Sequence, residues 1–175
     1  MPVSTVELNA RRDIIKQPVL WRLSKLFNVV TNIRRARVTE DYGFISVEIE
    51  GSSDEVQQAT DYLISMGLIK DRVVAATSGD SVRPEDKVPQ TTSIGVRLDT
   101  VSPAQGHVPV LHRVGKDFEV VVNIESADFD DEEGGSIEVM LSGPLASVQR
   151  AIAYLHTTGL HVSPRERSVT DYSNL

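Results

Sequence analysis

Two asparagine–isoleucine pairs, Asn32-Ile33 and Asn123-Ile124, recur in this sequence, and a carboxamide both donates and accepts hydrogen bonds. The plain role for each Asn is to satisfy strand backbone at a bulge. The cluster Arg34, Arg35 and Arg37, extended by Lys70 and Arg72, could steer an anionic ligand or an acidic partner, although a solvated strand face is the plainer reading. The acidic run Asp128, Asp130, Asp131, Glu132 and Glu133 has oxygen ligands for a hard cation but lacks the EF-hand spacing, so a solvated hairpin tip is expected and no metal site. His107/His112 and His156/His161 are each five apart rather than i, i+4, and surface histidines are expected. Trp21, the sole tryptophan, suits a partner surface together with the arginines, or plain packing. Cysteine is absent, no Ser/His/Asp arrangement stands in a motif context, and no Gly-rich loop leads into Lys-Ser/Thr. The expectation is a protein without catalytic residues or cofactor, one that binds or senses.

These residues occur at matched places because the chain repeats itself. Pro18-Val19-Leu20 returns as Pro109-Val110-Leu111, and Val29-Val30-x-Asn32-Ile33-x-x-Ala36 returns as Val120-Val121-x-Asn123-Ile124-x-x-Ala127, at an offset of 91. Beyond Gly43 the offset is 92: Val56-Gln57-x-Ala59-x-x-Tyr62-Leu63 matches Val148-Gln149-x-Ala151-x-x-Tyr154-Leu155. The inserted residue falls in the Gly-rich acidic stretch 130–135, where a hairpin tolerates it. The units are read as residues 1–76 and 93–163, joined by a Pro-, Ser- and charge-rich linker over 77–92 and followed by a flexible tail over 164–175.

Alternation of Val6/Leu8 and Val96/Leu98 predicts an opening strand in each unit. Leu20, Leu23 and Phe27, with Leu111, Val114 and Phe118, predict an amphipathic helix starting near Pro18 or Pro109. A hairpin follows, turning at 39–43 or around Gly134-Gly135. A second helix follows it, opened by the capping-box pattern Ser52-x-x-Glu55 or by Pro144 and closed by Gly67 or Gly159. A last strand, Leu68 to Ala75 or Leu160 to Ser163, completes β-α-β-β-α-β, an α+β ferredoxin-like unit. Strict alternation cannot turn both Ile33 and Ala36 inward, nor both Ile124 and Ala127, so a bulge is expected between the members of each pair. Two such units in one chain are expected to pack as a pseudo-dimer that covers sheet faces or pairs edge strands.

The 175 residues, 40% of them apolar, supply cores for two small units. A formal charge of -7 and only 5% aromatics argue against nucleic acid as a partner. No stretch reaches the ~20 apolar residues of a membrane span, and the absence of cysteine fits a reducing compartment, so a cytoplasmic protein is expected.

At the Pro-x-Leu helix start, Phe27-Asn28-Val29 and Phe118-Glu119-Val120, the two Asn-Ile pairs, the hairpin glycine and the Ala-x-x-Tyr-Leu helix, the sequence resembles the NIL domain over residues 3–73 and 93–163. This is an ACT-like regulatory module found at the carboxyl end of methionine importer ATPases and in stand-alone proteins. The resemblance implies that an amino acid such as L-methionine binds between neighbouring units near Asn32 and Asn123, with Ile33 and Ile124 beside them. Where family members often carry Leu after Asn-Ile, this chain has Arg34 and Glu125. That departure motivates the alternative of a protein-protein interaction adaptor that keeps the fold without a ligand. Further association of chains is left open.

Overall fold

The computed structural model describes residues 3–11, 17–69, 87–101 and 109–164. The first unit contains β1 (Val3–Arg11), α1 (Val19–Leu26), β2 (Val30–Val38), β3 (Tyr42–Glu50) and α2 (Ser53–Ser65); the second contains β4 (Thr92–Asp99), α3 (Val110–Asp117), β5 (Val121–Asp130), β6 (Gly134–Gly143), α4 (Leu145–His156) and β7 (His161–Pro164). These are two ferredoxin-like units in tandem. Of the expected last strand of the first unit, Leu68 and Ile69 are described and are not in a strand; its remainder lies outside the described residues, as do most of the expected linker, Lys70, Arg72, His107 and all of the expected tail but Pro164, which belongs to β7.

Local chemistry sets the element ends as the sequence implies. Pro18 and Pro109 sit at the N-caps of α1 and α3, where a missing N–H costs nothing. Ser52 accepts from the Glu55 backbone N–H at 3.3 Å, but the Glu55 side chain does not complete the box. It accepts instead from the Asn28 N–H at 3.1 Å, tying α2 to the entry of β2. Gly67 and Gly159 take φ of 77° and 84° after the second helices, the left-handed region that glycine enters without strain. The aromatics that recur between copies meet across each unit, Phe27 with Tyr62 and Phe118 with Tyr154, at centroid distances of 5.8 and 5.5 Å.

All described strands join one antiparallel sheet in the order β1-β3-β2-β5-β6-β4-β7. Within each unit the middle strand slips register once, between Ile33 and Arg35 and between Ile124 and Ser126, so the bulges anticipated there exist and leave Arg34 and Glu125 as the extra residues. Each bulge lets the chain turn two pairs inward, Ile33 with Ala36 and Ile124 with Ala127. The opposite sheet face is polar, carrying residues such as Glu48, Arg97 and Glu138.

The units meet edge to edge through β2 and β5, in the register Arg35↔Asp130, Ala36↔Phe129, Arg37↔Asp128, Val38↔Ala127. Arg37 and Asp128 are counterparts in the repeat, so the pseudo-twofold axis passes between them. Two identical strands paired this way would set a residue against its own copy, and like charges directly opposite destabilise a sheet. Here basic β2 faces acidic β5: Arg35 Nε lies 3.1 Å from Asp130, and Arg37 Nη2 lies 3.6 Å from Asp128. Arg34 pairs with both Asp131 and Glu48, the latter at 2.8 Å, and its carbonyl accepts from the Asp131 N–H at 2.7 Å. The acidic run expected as a solvated hairpin tip is therefore in part a cross-unit contact, with Asp131 only 4% exposed. The three arginines are engaged within the chain. The hydrophobic core is also shared, because Trp21, Ile33, Ala36 and Val38 of the first unit belong to the cluster that fills the second.

Burial decides which ion pair matters. Asp131→Asn breaks a pair whose carboxylate is buried and whose arginine is partly exposed, and should cost about 1–2 kcal/mol in urea denaturation. Asp128→Asn, at an exposed pair, should change stability by no more than about 0.5 kcal/mol.

Candidate functional site

The N-terminal ends of α1 and α3 sit over the sheet where the units join, and between helices and strands lies a largely apolar cavity of about 120 Å³. A single buried water needs roughly 10–15 Å³ on a comparable measure, so the space suits a small molecule. Residues of both units form the wall. Apart from Gln17, Ser24 and Asn32, every lining residue is matched by its repeat counterpart, as in Leu8 with Leu98, Leu20 with Leu111, Ile33 with Ile124 and Ile45 with Ile137. The cavity therefore straddles the pseudo-twofold axis.

The sequence elements explain this position. Pro-Val-Leu begins the first helix of each unit and sends Leu20 or Leu111 down towards the sheet, while the bulged middle strand presents Ile33 or Ile124 from below. Helices α1 and α3 pack against each other so closely that a Cβ on Gly115 would lie 2.5 Å from Cδ1 of Trp21. Glycine is needed there because the indole occupies the side chain's place. Trp21 is 4% exposed, and its place is the contact between the two units of this chain.

His112, the counterpart of Trp21, is 7% exposed, which corrects the expectation of a surface histidine. Burial on an apolar helix face, not metal spacing, decides its environment. The Thr31 backbone N–H of the first unit donates to its Nδ1 at 3.5 Å, so the neutral ring carries its proton on Nε2. Nε2 of His112 and Nε1 of Trp21 are both buried without a hydrogen-bond partner among the described residues. His156 and His161 are exposed.

Of the residues singled out in the sequence, Asn32, Ile33, Ile124 and Trp21 border the cavity, whereas Asn123 does not. Asn32 lies between buried Thr31 and Ile33 and pairs in register with Glu48; Asn123 pairs with Met140. Strand alternation sets Asn32 and Asn123 on the opposite side of their strands from the neighbouring Ile33 and Ile124. Arg34, Arg35 and Arg37 serve the cross-unit ion pairs described above. Sequence reasoning missed the helix-start residues 18–20 and 109–112 as wall-forming. Their signal was present, since Pro-Val-Leu is retained at both helix starts.

Burial pushes the His112 imidazole below the ordinary histidine range, aided by Lys116, opposed by Asp117, and aided again by Lys25 and Arg113. The unfolded chain then binds this proton more readily than the native one, so the stability associated with neutral His112 is complete above the ordinary pKa of about 6.5 and is lost as pH falls below it. The thermal midpoint should decline between about pH 7.5 and 5.5, and H112Q should flatten that decline. An identical slope in the variant would assign the titration elsewhere.

The family model of the NIL domain matches residues 4–70 and again residues 99–164. No curated protein matches the chain. No described helix is long and apolar enough to cross a membrane.

Proposed function

Because the chain belongs to the NIL domain family of regulatory modules, with two units in tandem, we propose that it is a non-catalytic regulatory protein that holds a small amino acid between those units. The observation that carries this reading is the cavity at the junction, which neither unit could enclose alone. Its apolar wall suits an aliphatic or thioether side chain such as that of L-methionine, and small-molecule sites are generally apolar with a few placed polar groups. The resemblance implies a ligand between neighbouring subunits in the transporter relatives; here the neighbour is supplied by the same chain.

In this reading Ile33 and Ile124 contact the ligand from the sheet, Asn32 borders it, and Asn123 stands outside the wall. The adaptor alternative keeps less material to work with. Trp21 is buried and the arginines are paired internally, leaving scattered exposed residues such as Leu26, Val101 and Leu145.

Calorimetric titration with L-methionine and a panel of other amino acids tests the proposal. Saturable binding is expected, with I124F, which fills the cavity, weakening it at least about tenfold, and N123A leaving it within about twofold. Absence of both heat and thermal shift with every amino acid would discard the ligand reading and leave the adaptor.

A further inference from the structure

The cavity is built by a repeat, yet its two ends are chemically different. The matched pairs that are not identical are Ala10 with Thr100, Trp21 with His112, Thr31 with Val122, and Val38 with Phe129. Hydrogen bonds sort the polar members to one end. Thr31 donates its backbone N–H to His112. Thr100 Oγ1 accepts from the Gly135 N–H at 2.8 Å, beside the turn whose Asp131 bonds the Arg34 carbonyl, a few residues along β2 from Thr31. Thr31, His112, Thr100 and Phe129 therefore gather where the second unit's hairpin meets β2. By the pseudo-twofold relation Val122, Trp21, Ala10 and Val38 gather at the opposite end.

One end consequently presents a hydroxyl and a neutral imidazole and is narrowed by Phe129. Among the matched pairs the other presents aliphatic groups and an indole whose Nε1 is its polar group, with the smaller Ala10 and Val38 leaving room. Of the unmatched wall residues, Ser24 donates its hydroxyl to the Trp21 carbonyl and Gln17 Oε1 accepts from Arg22. The Thr100 hydroxyl is taken up by Gly135, whereas Thr31 is bonded through its backbone, so the Thr31 side chain is the one available to a ligand. A symmetric dimer of identical units would offer two equal half-sites; here the copies have diverged at the positions that line the space.

We propose that the cavity takes one amphiphilic amino acid per chain in a single orientation, its polar head at the Thr31/His112 end and its apolar tail at the Ala10/Val38 end. The proposal rests on the amino-acid reading above and specifies how that site is used. An amphiphile reversed in the cavity would set its charged head against Val122, Ala10 and Val38 with the indole N–H as its one matched-pair partner, and polar groups left unpaired there are costly.

The repeat supplies its own test, because each substitution can install the residue that the counterpart position already holds. In calorimetry with L-methionine, one molecule should bind per chain. T31V should weaken binding about five- to tenfold through loss of one hydrogen bond, while the reciprocal V122T changes it by less than about twofold. V38F should weaken L-methionine strongly and L-alanine, with its short tail, much less. Thermal midpoints of each variant report whether it folds, and T31V decides the question even if V38F does not fold. Two molecules per chain, or equal losses from T31V and V122T, would overturn the single-orientation site while leaving amino-acid binding intact. No heat with any amino acid would remove the reading beneath it and this proposal together.

Discussion

The structure depends on the pairing of β2 with β5, and that pairing depends on opposite charge. Backbone hydrogen bonds alone would join any two edge strands of this kind, including the same strand from two chains. Arg34, Arg35 and Arg37 against Asp131, Asp130 and Asp128 make the within-chain partner the matched one and set like charges against each other in the alternatives. The exposed pairs contribute little to stability, so their effect is on the choice of partner, while the buried carboxylate of Asp131 holds the bulge at Arg34. Once this edge is fixed, α1 and α3 are brought together over it, Trp21 lies on Gly115, and the space beneath the helix starts becomes a shared cavity.

Duplication explains why the cavity is symmetric in shape yet differs in chemistry between its ends. Each unit retains the leucines, isoleucines and helix-start residues that an enclosing wall requires. The exchanges that distinguish the ends, a hydroxyl for a methyl and an imidazole for an indole, are those that a fused pair can accumulate and a dimer of identical chains cannot. The same freedom produced the charge division between β2 and β5. Fusion and asymmetry are thus linked at both levels, in the choice of edge partner and in the chemistry of the enclosed space.

Most of the architecture was legible in the sequence, and the reasons are local. The repeat placed Pro18 with Pro109 and Gly67 with Gly159, and periodicity assigned the helices between them. The conflict between Ile33 and Ala36 announced the bulge, because alternation in a strand has no other remedy. Less legible was the partner of β2, since nothing within a strand states which edge it meets; yet Arg37 aligns with Asp128 in the repeat, and opposite charges at counterpart positions were a sign of pairing across the axis. His112 was misjudged because its spacing from other histidines was weighed and its position on the buried face of α3 was not. Asn32 and Asn123 drew attention through the family resemblance; Asn32 borders the cavity and Asn123 lies outside its wall, a difference between copies that the repeat does not announce.

The central claim is that the junction between the two units is a ligand site, and a crystal structure of the chain grown with L-methionine tests it most directly. The account predicts one molecule beneath the starts of α1 and α3, between Ile33 and Ile124, with the β2–β5 register unchanged. An empty or collapsed junction at saturating ligand, or a molecule bound elsewhere on the sheet, would contradict it.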